Sequence, residues 1–111
     1  MNSPRKPAPA TGLTRIYRAL FYSLSGFRFA LRDEAAFRQE LLLVFALTVL
    51  CLVLPFEHWI RVMLVFSHVI VLITELLNTA IESVVDKASP EFHLDAKKAK
   101  DTSSSAVFLS L

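Results

Sequence analysis

Hydrophobic and polar positions along the chain fall into three regimes. From Leu13 onward, Leu13, Ile16, Tyr17, Leu20, Leu24, Phe27 and Leu31 recur at three- and four-residue steps, with Arg15, Arg18, Ser25 and Arg32 largely on the other side. This spacing predicts an amphipathic helix over 13–32. The pattern then gives way to LLLVFALTVLCLVL (41–54), whose single polar residue is Thr48, and to VMLVFSHVIVLI (62–73). With their flanks, Phe37–Phe56 and Trp59–Leu77, both runs approach the ~20 residues that cross a ~30 Å hydrocarbon layer. A helix apolar all round has to be buried in protein or in lipid, and so short a chain has little protein to offer.

The elements expected are therefore a leader over 1–11, a surface helix over 13–32 and a first membrane helix over 35–56. A second membrane helix follows over 59–86, with an extension beyond the hydrocarbon, since nothing between Trp59 and Asp86 is Gly or Pro. Those residues rise ~42 Å as a helix. The leader MNSPRKPAPAT holds three prolines and no apolar pattern, which reads as disordered. Ser89–Pro90 ends the second span, a polar loop is expected over 87–101, and AVFLSL at the end of the chain reads as the start of a third span over 102–111. The first apolar run begins too far into the chain for a cleaved signal peptide.

Composition fits that picture. Of 111 residues 54% are apolar and two are glycine, which points to one domain, 12–111, in a membrane. Cys51 is the only cysteine, so no disulfide pair or thiolate metal site is available, and it reads as a small lipid- or core-facing residue. A net charge of +2 is too small to suggest nucleic acid, and none is expected as a partner. Its distribution is more informative. Arg5, Lys6, Arg15, Arg18, Arg28, Arg32 and Arg38 precede the first span and Lys87, Lys97, Lys98 and Lys100 follow the second, whereas the PFEHW connection (55–59) has none. The bias predicts both long polar segments, the N-terminus included, on the cytoplasmic side.

The costly feature is TELLNTAIESVVD (74–86). At about 100° per residue, Asn78, Glu82 and Asp86 lie at about −60°, −20° and +20° from Glu75, one narrow stripe. Glu75 and Glu82 are ~10.5 Å apart along the axis. A charge deep in a span costs ~2.5–3.5 kcal/mol on insertion scales and normally faces a bundle interior or polar cavity. A polar seam gluing helices needs one or two such residues, not several acids that repel each other. Aligned carboxylates at a membrane boundary suit Mg²⁺, which is commonly held by one or two carboxylates plus substrate phosphates. A carboxylate partly withdrawn from water also becomes a stronger general base. Glu34, Arg38, Gln39 and Glu40 before the first span and KAKDTSSS (98–105) after the second supply further acids and cations. Together these suggest phosphoryl transfer to a lipid, run by positioning and electrostatics, with no Gly-rich phosphate loop present.

Three stretches, TGLTRIYRA, DEAAFRQE (33–40) and ELLNTAIESVVD (75–86), with AKD (99–101) completing them, resemble the bacterial integral-membrane diacylglycerol kinase family. The resemblance implies an all-α integral membrane helical bundle, a homotrimer of three-helix subunits each with an interfacial surface helix. It implies that diacylglycerol is phosphorylated to phosphatidic acid with ATP and Mg²⁺ at the cytoplasmic face of the inner membrane. Carried over by motif, Glu75 matches the proton acceptor and Asn78 its polar support, and Glu34 and Glu82 match metal carboxylates that also meet the nucleotide. Arg15, Tyr22, Glu91, Phe92, His93, Lys100 and Asp101 match positions holding ATP. Ala36, Phe37, Arg38, Gln39, Glu40 and Ser104, with Arg15 and Glu75, match positions at the lipid's polar end. Read on their own, His93 is more simply a surface loop residue and Tyr22 an interfacial aromatic.

The chain departs from the family in stopping within the first turns of its third span, in the serine run 103–105, and in His68, which lies on the face of Glu75. His68 reads as an interhelical hydrogen bond or as a modifier of the deep pocket. Undecaprenol kinase is the alternative within the class, with EAAFRQE favouring diacylglycerol. A truncated, inactive membrane oligomer or a small transporter subunit is the alternative outside it.

Overall fold

The computed structural model describes residues 3–6, 8, 9 and 11–111. Four helices make up the fold: α1 (Gly12–Asp33), α2 (Ala35–Val53), α3 (His58–Ala88) and α4 (Leu94–Ser110). Among the described residues there is no strand. The expected leader falls partly on residues 1, 2, 7 and 10, which lie outside the described residues; its described positions carry no helix.

α2 and α3 are both long and apolar enough to cross a membrane. Each keeps large apolar side chains uncovered: Leu42, Phe45 and Val53 on α2, and Met63, Phe66, Leu77 and Val84 on α3. The accessible surface is 9347 Å², against about 6,200 Å² for a compact water-soluble monomer of 12.5 kDa. Within that larger surface, the uncovered apolar side chains are a liability in water and an asset in lipid.

α3 is the central element, packing against both α2 and α4. Its 31 residues rise ~46 Å, beyond the ~30 Å hydrocarbon layer. The α2–α3 hairpin is tied at its turn, where Arg61 Nη2 donates to Leu54 O at 2.8 Å. Midway along, Thr48 Oγ1 and His68 Nδ1 share a hydrogen bond at 3.2 Å, the first of the two readings His68 allowed. Cys51 is buried and free.

α1 is amphipathic, and its apolar face is uncovered by the rest of the chain: Leu13, Ile16, Tyr17 and Leu20 are all exposed. It is anchored at its C-terminal end. Ala30 is buried, Glu34 turns the chain in an extended conformation that serves α1 and α2 together, and Arg38 reaches back from α2. Arg38 Nη1 donates to the carbonyls of Leu31 at 2.8 Å and Arg32 at 2.9 Å, two acceptors that a helix end leaves without intrahelical partners.

The last helix corrects one boundary. The segment 87–101 is not a continuous loop: α3 runs to Ala88 and α4 begins at Leu94. The physical reason is local. His93 Nδ1 accepts from the Asp95 N–H at 3.1 Å, an N-cap that satisfies one of the helix's free donors, and Asp95 adds a favourable first-turn acid. The sequence LDAKKAK holds good helix formers without Gly or Pro. The polarity of 94–101 marks a solvated helix face and not a loop.

Candidate functional site

The side chains that α3 turns toward the rest of the chain include a run of polar ones beside apolar residues such as Leu64, Val71 and Leu72. Arg61, His68, Glu75, Asn78 and Glu82 are buried or half-buried, while Met63, Phe66, Ile73 and Leu77 face outward. Their seven-residue recurrence is that of a helix seam packed against an antiparallel neighbour. Of the stripe that spacing predicts, Glu75, Asn78 and Glu82 lie on the inward face of the helix, and Asp86 at its end is exposed.

Glu75 is the most enclosed of these acids, 5% exposed. Glu40 from α2, Glu82 from α3 and Glu34 at the α1–α2 turn are the like charges that act on it. Asn78 Nδ2 donates to Glu82 Oε1 at 3.3 Å, which orients the Glu82 carboxylate. Asn78 Oδ1 and the hydroxyl of its neighbour Thr79 are both buried without a hydrogen-bond partner. Unsatisfied polar atoms at this depth are costly, and here they adjoin an enclosed acid.

Among the described residues no three His, Cys, Asp or Glu side chains converge into a closed metal cage. The donor set present is oxygen only, the type that suits Mg²⁺, an ion that usually takes one or two carboxylates and completes its shell with phosphate oxygens and water. Glu34 and Glu82 fit such a site as two half-buried carboxylates on facing elements.

Beyond Glu82, Asp86 is joined to Lys100 across the α3–α4 contact at 2.5 Å. That hydrogen bond raises the Lys100 pKa above its ordinary value. Lys97 and Asp101 form a second ion pair one turn apart on α4. A cavity of about 310 Å³ opens here, lined by Asp86, Glu91, His93, Lys97, Lys100 and Asp101 among others, Phe92 included. The structure thus gathers Glu91, Phe92, His93, Lys100 and Asp101 in one place. Arg15 and Tyr22 do not join them: both are exposed on α1 and line no part of that cavity.

The residues matched to a lipid's polar end divide similarly. Phe37 is 1% exposed and packs inward, so it acts as a core anchor for the start of α2. Arg38 is engaged with the α1 carbonyls. Ala36 and Gln39 are exposed and Glu40 is half-buried. Ser104 is exposed on α4, whereas the neighbouring Ser103 is buried, its hydroxyl donating to Lys100 O at 3.0 Å.

Two features were absent from the sequence reading. Lys97 joins the polar cavity because α4 begins at Leu94, placing Lys97, Lys100 and Asp101 on neighbouring turns; recognising the helix start was the missing signal. A groove of about 460 Å³ between α1 and α3, with Ser23, Gly26, Phe29, Ala30, Thr79 and Ser83 among its walls, depends on how two distant helices meet, which no local pattern encodes.

Comparison with known proteins gives a consistent result. The profile of the family described as prokaryotic diacylglycerol kinase matches residues 21–111. The chain is 44% identical over 101 residues to the diacylglycerol kinase of Escherichia coli strain K12, covering 91% of this chain and 83% of that protein. It is 44% identical over 109 residues to that of Pseudomonas aeruginosa, covering 98% and 89%, and 38% identical over 111 residues to that of Helicobacter pylori strain J99, covering 100% and 87%.

Proposed function

From the premise that this chain belongs to the prokaryotic diacylglycerol kinase family, and so is a kinase, we propose that it transfers the γ-phosphoryl group of ATP to 1,2-diacylglycerol. The products are phosphatidic acid and ADP, feeding phospholipid recycling and synthesis. The observation that carries the reading is the inward stripe of α3, with Glu75 enclosed and Asn78 oriented on Glu82.

In this scheme Glu75 accepts the proton as the lipid hydroxyl attacks. The lipid O–H bond breaks, its oxygen bonds to the γ-phosphorus, and the bond from that phosphorus to the bridging oxygen breaks, leaving the electron pair on ADP. Glu75 lies about 26 Å along α3 from His58, close to the far edge of the hydrocarbon layer, the depth of a glycerol hydroxyl. Asn78 holds Glu82 in position, and Glu82 and Glu34 are the carboxylates that would hold Mg²⁺. The ion, when bound, neutralises phosphate charge. Glu91, Phe92, His93, Lys100 and Asp101 are proposed to hold the nucleotide; Arg15 and Tyr22, matched to it by motif, stand apart on α1 within this chain. Ala36, Gln39, Glu40 and Ser104 are proposed to border the lipid's polar end, while Phe37 and Arg38 between them hold the start of α2 in place.

The excess of Lys and Arg on the segments flanking the two spans favours the cytoplasmic face of the inner membrane for this chemistry, with the N-terminus cytoplasmic. A homotrimer accounts for the uncovered apolar faces. The test is phosphorylation in mixed micelles by the purified protein, given MgATP with diacylglycerol or undecaprenol. Diacylglycerol phosphorylation abolished by Glu75→Gln is expected; phosphorylation of neither lipid, or of undecaprenol alone, overturns the proposal.

A further inference from the structure

In lipid, two helices as apolar as α2 and the membrane half of α3 have little reason to prefer one axial alignment. Acyl chains are as apolar as leucine, so sliding one helix along the other leaves burial almost unchanged. Beyond what the short 54–57 connection imposes at one end, alignment must come from polar atoms. Thr48 is the one polar residue within 41–54. Of the two polar residues within 62–73, Ser67 is spent inside its own helix on Leu64 O at 2.7 Å, while His68 reaches Thr48.

The position of that bond matters for the site. Glu34 lies as many residues before Thr48 as Glu82 lies after His68, and Glu40 precedes Thr48 by one residue more than Glu75 follows His68. In an antiparallel hairpin the Thr48–His68 pairing therefore sets Glu34 level with Glu82 and Glu40 level with Glu75, about 21 Å and 11 Å along the axis from the pin. Glu40 and Glu34 from the α2 side and Glu82 from α3 are the like charges that act on the buried Glu75, as that alignment requires. The Arg61 to Leu54 bond at the turn holds the same alignment.

We infer that the Thr48–His68 hydrogen bond is a register pin, through which two residues remote from the chemistry position the facing carboxylates of α2 and α3. The device is the membrane counterpart of a single buried polar residue that fixes the register of a coiled coil. Thr48 and His68 are positioning residues and touch no substrate. The kinetic consequence rests on the kinase reading above; the structural consequence does not.

The experiment uses the full chain in bilayers with two arms. In the first, Glu34→Cys and Glu82→Cys are combined in a Cys51→Ser background and cross-linked within one chain by a short bifunctional thiol reagent. The expected result is efficient cross-linking that falls at least threefold when Thr48→Val is added, the factor matching a typical interhelical hydrogen bond in a membrane, and that Thr48→Ser restores. In the second arm Thr48→Val and His68→Leu each lower kcat at least threefold with the KM for ATP unchanged, and the double variant is no worse than the worse single. Thr48→Ser and His68→Gln, which keep hydrogen-bonding groups, retain activity. A cross-link indifferent to Thr48→Val overturns the pin, as does strict additivity of the two kinetic losses. An inactive parent whose cross-link still responds to Thr48→Val removes the kinase reading and leaves the pin standing.

Discussion

Replacing Arg38 by alanine should loosen α1 from the bundle. Its guanidinium serves the C-terminal end of α1, Nη1 donating to Leu31 O and Arg32 O at 2.8 and 2.9 Å. Water can take over part of both bonds, because Arg38 is exposed, so each is worth about 0.5–1 kcal/mol. The favourable meeting of a cation with the negative helix end is part of the same interaction. Arg38→Ala then costs about 1–2 kcal/mol, which raises the open population of the α1–α2 turn by about 5- to 30-fold. Hydrogen exchange of the protein in bilayers reads this directly, as faster exchange at the end of α1 and the start of α2 with α3 unchanged. Arg38→Lys keeps the charge without the guanidinium's reach to both carbonyls and should fall between. Unchanged protection in Arg38→Ala, together with a raised KM for the lipid, would refute this reasoning and give the side chain to substrate instead.

Phe37→Ala should cost about 3–5 kcal/mol, the usual penalty for emptying a buried aromatic site, read as earlier unfolding in a denaturant titration in micelles. Asn78→Ala removes the donor that orients Glu82 and should raise the Mg²⁺ concentration needed for half-maximal activity severalfold, while binding of free ATP is retained. Lys100 is held above its ordinary value of 10.5 by its hydrogen bond to Asp86. A raised folded-state pKa means that the stabilisation is complete below 10.5 and is lost as pH rises through the higher folded value. Spin labels on α3 and α4 should thus report no separation from about pH 6 to 9, where that lysine stays protonated, and an opening only beyond 10.5, absent in Asp86→Asn. Asp33, held below its ordinary value by the hydrogen bond from Arg32, has the opposite sign: its contribution is complete above the ordinary carboxylate range and lost as acid titrates it, visible in an NMR titration of its carboxyl.

The membrane helices were legible because their signal is composition sustained over a span's length, and α1 because its period holds for five turns. The stripe was legible because Glu75, Asn78 and Glu82 share one helix, where spacing fixes angle. What spacing could not provide was anything between helices. That Arg38 would serve the carbonyls of Leu31 and Arg32 depends on the sharp turn at Glu34. That Asp86 would meet Lys100 depends on where α4 starts, which the imidazole cap of His93 decides. The groove walled by Phe29 and Thr79 requires two segments some fifty residues apart. Register between α2 and α3 was encoded all along in Thr48 and His68, but only as two polar letters in apolar runs, with no sign of which partner each takes.

The proposed chemistry turns on the enclosed carboxylate of Glu75 acting on the lipid hydroxyl. The most direct measurement is single-turnover phosphoryl transfer to diacylglycerol in bilayers by Glu75→Gln, with ATP affinity measured on the same sample. General-base catalysis contributes about 10²- to 10⁴-fold. The expected rate constant is lower by at least about a hundredfold with nucleotide affinity unchanged; a rate within a few-fold of the parent would mean that Glu75 is not the base.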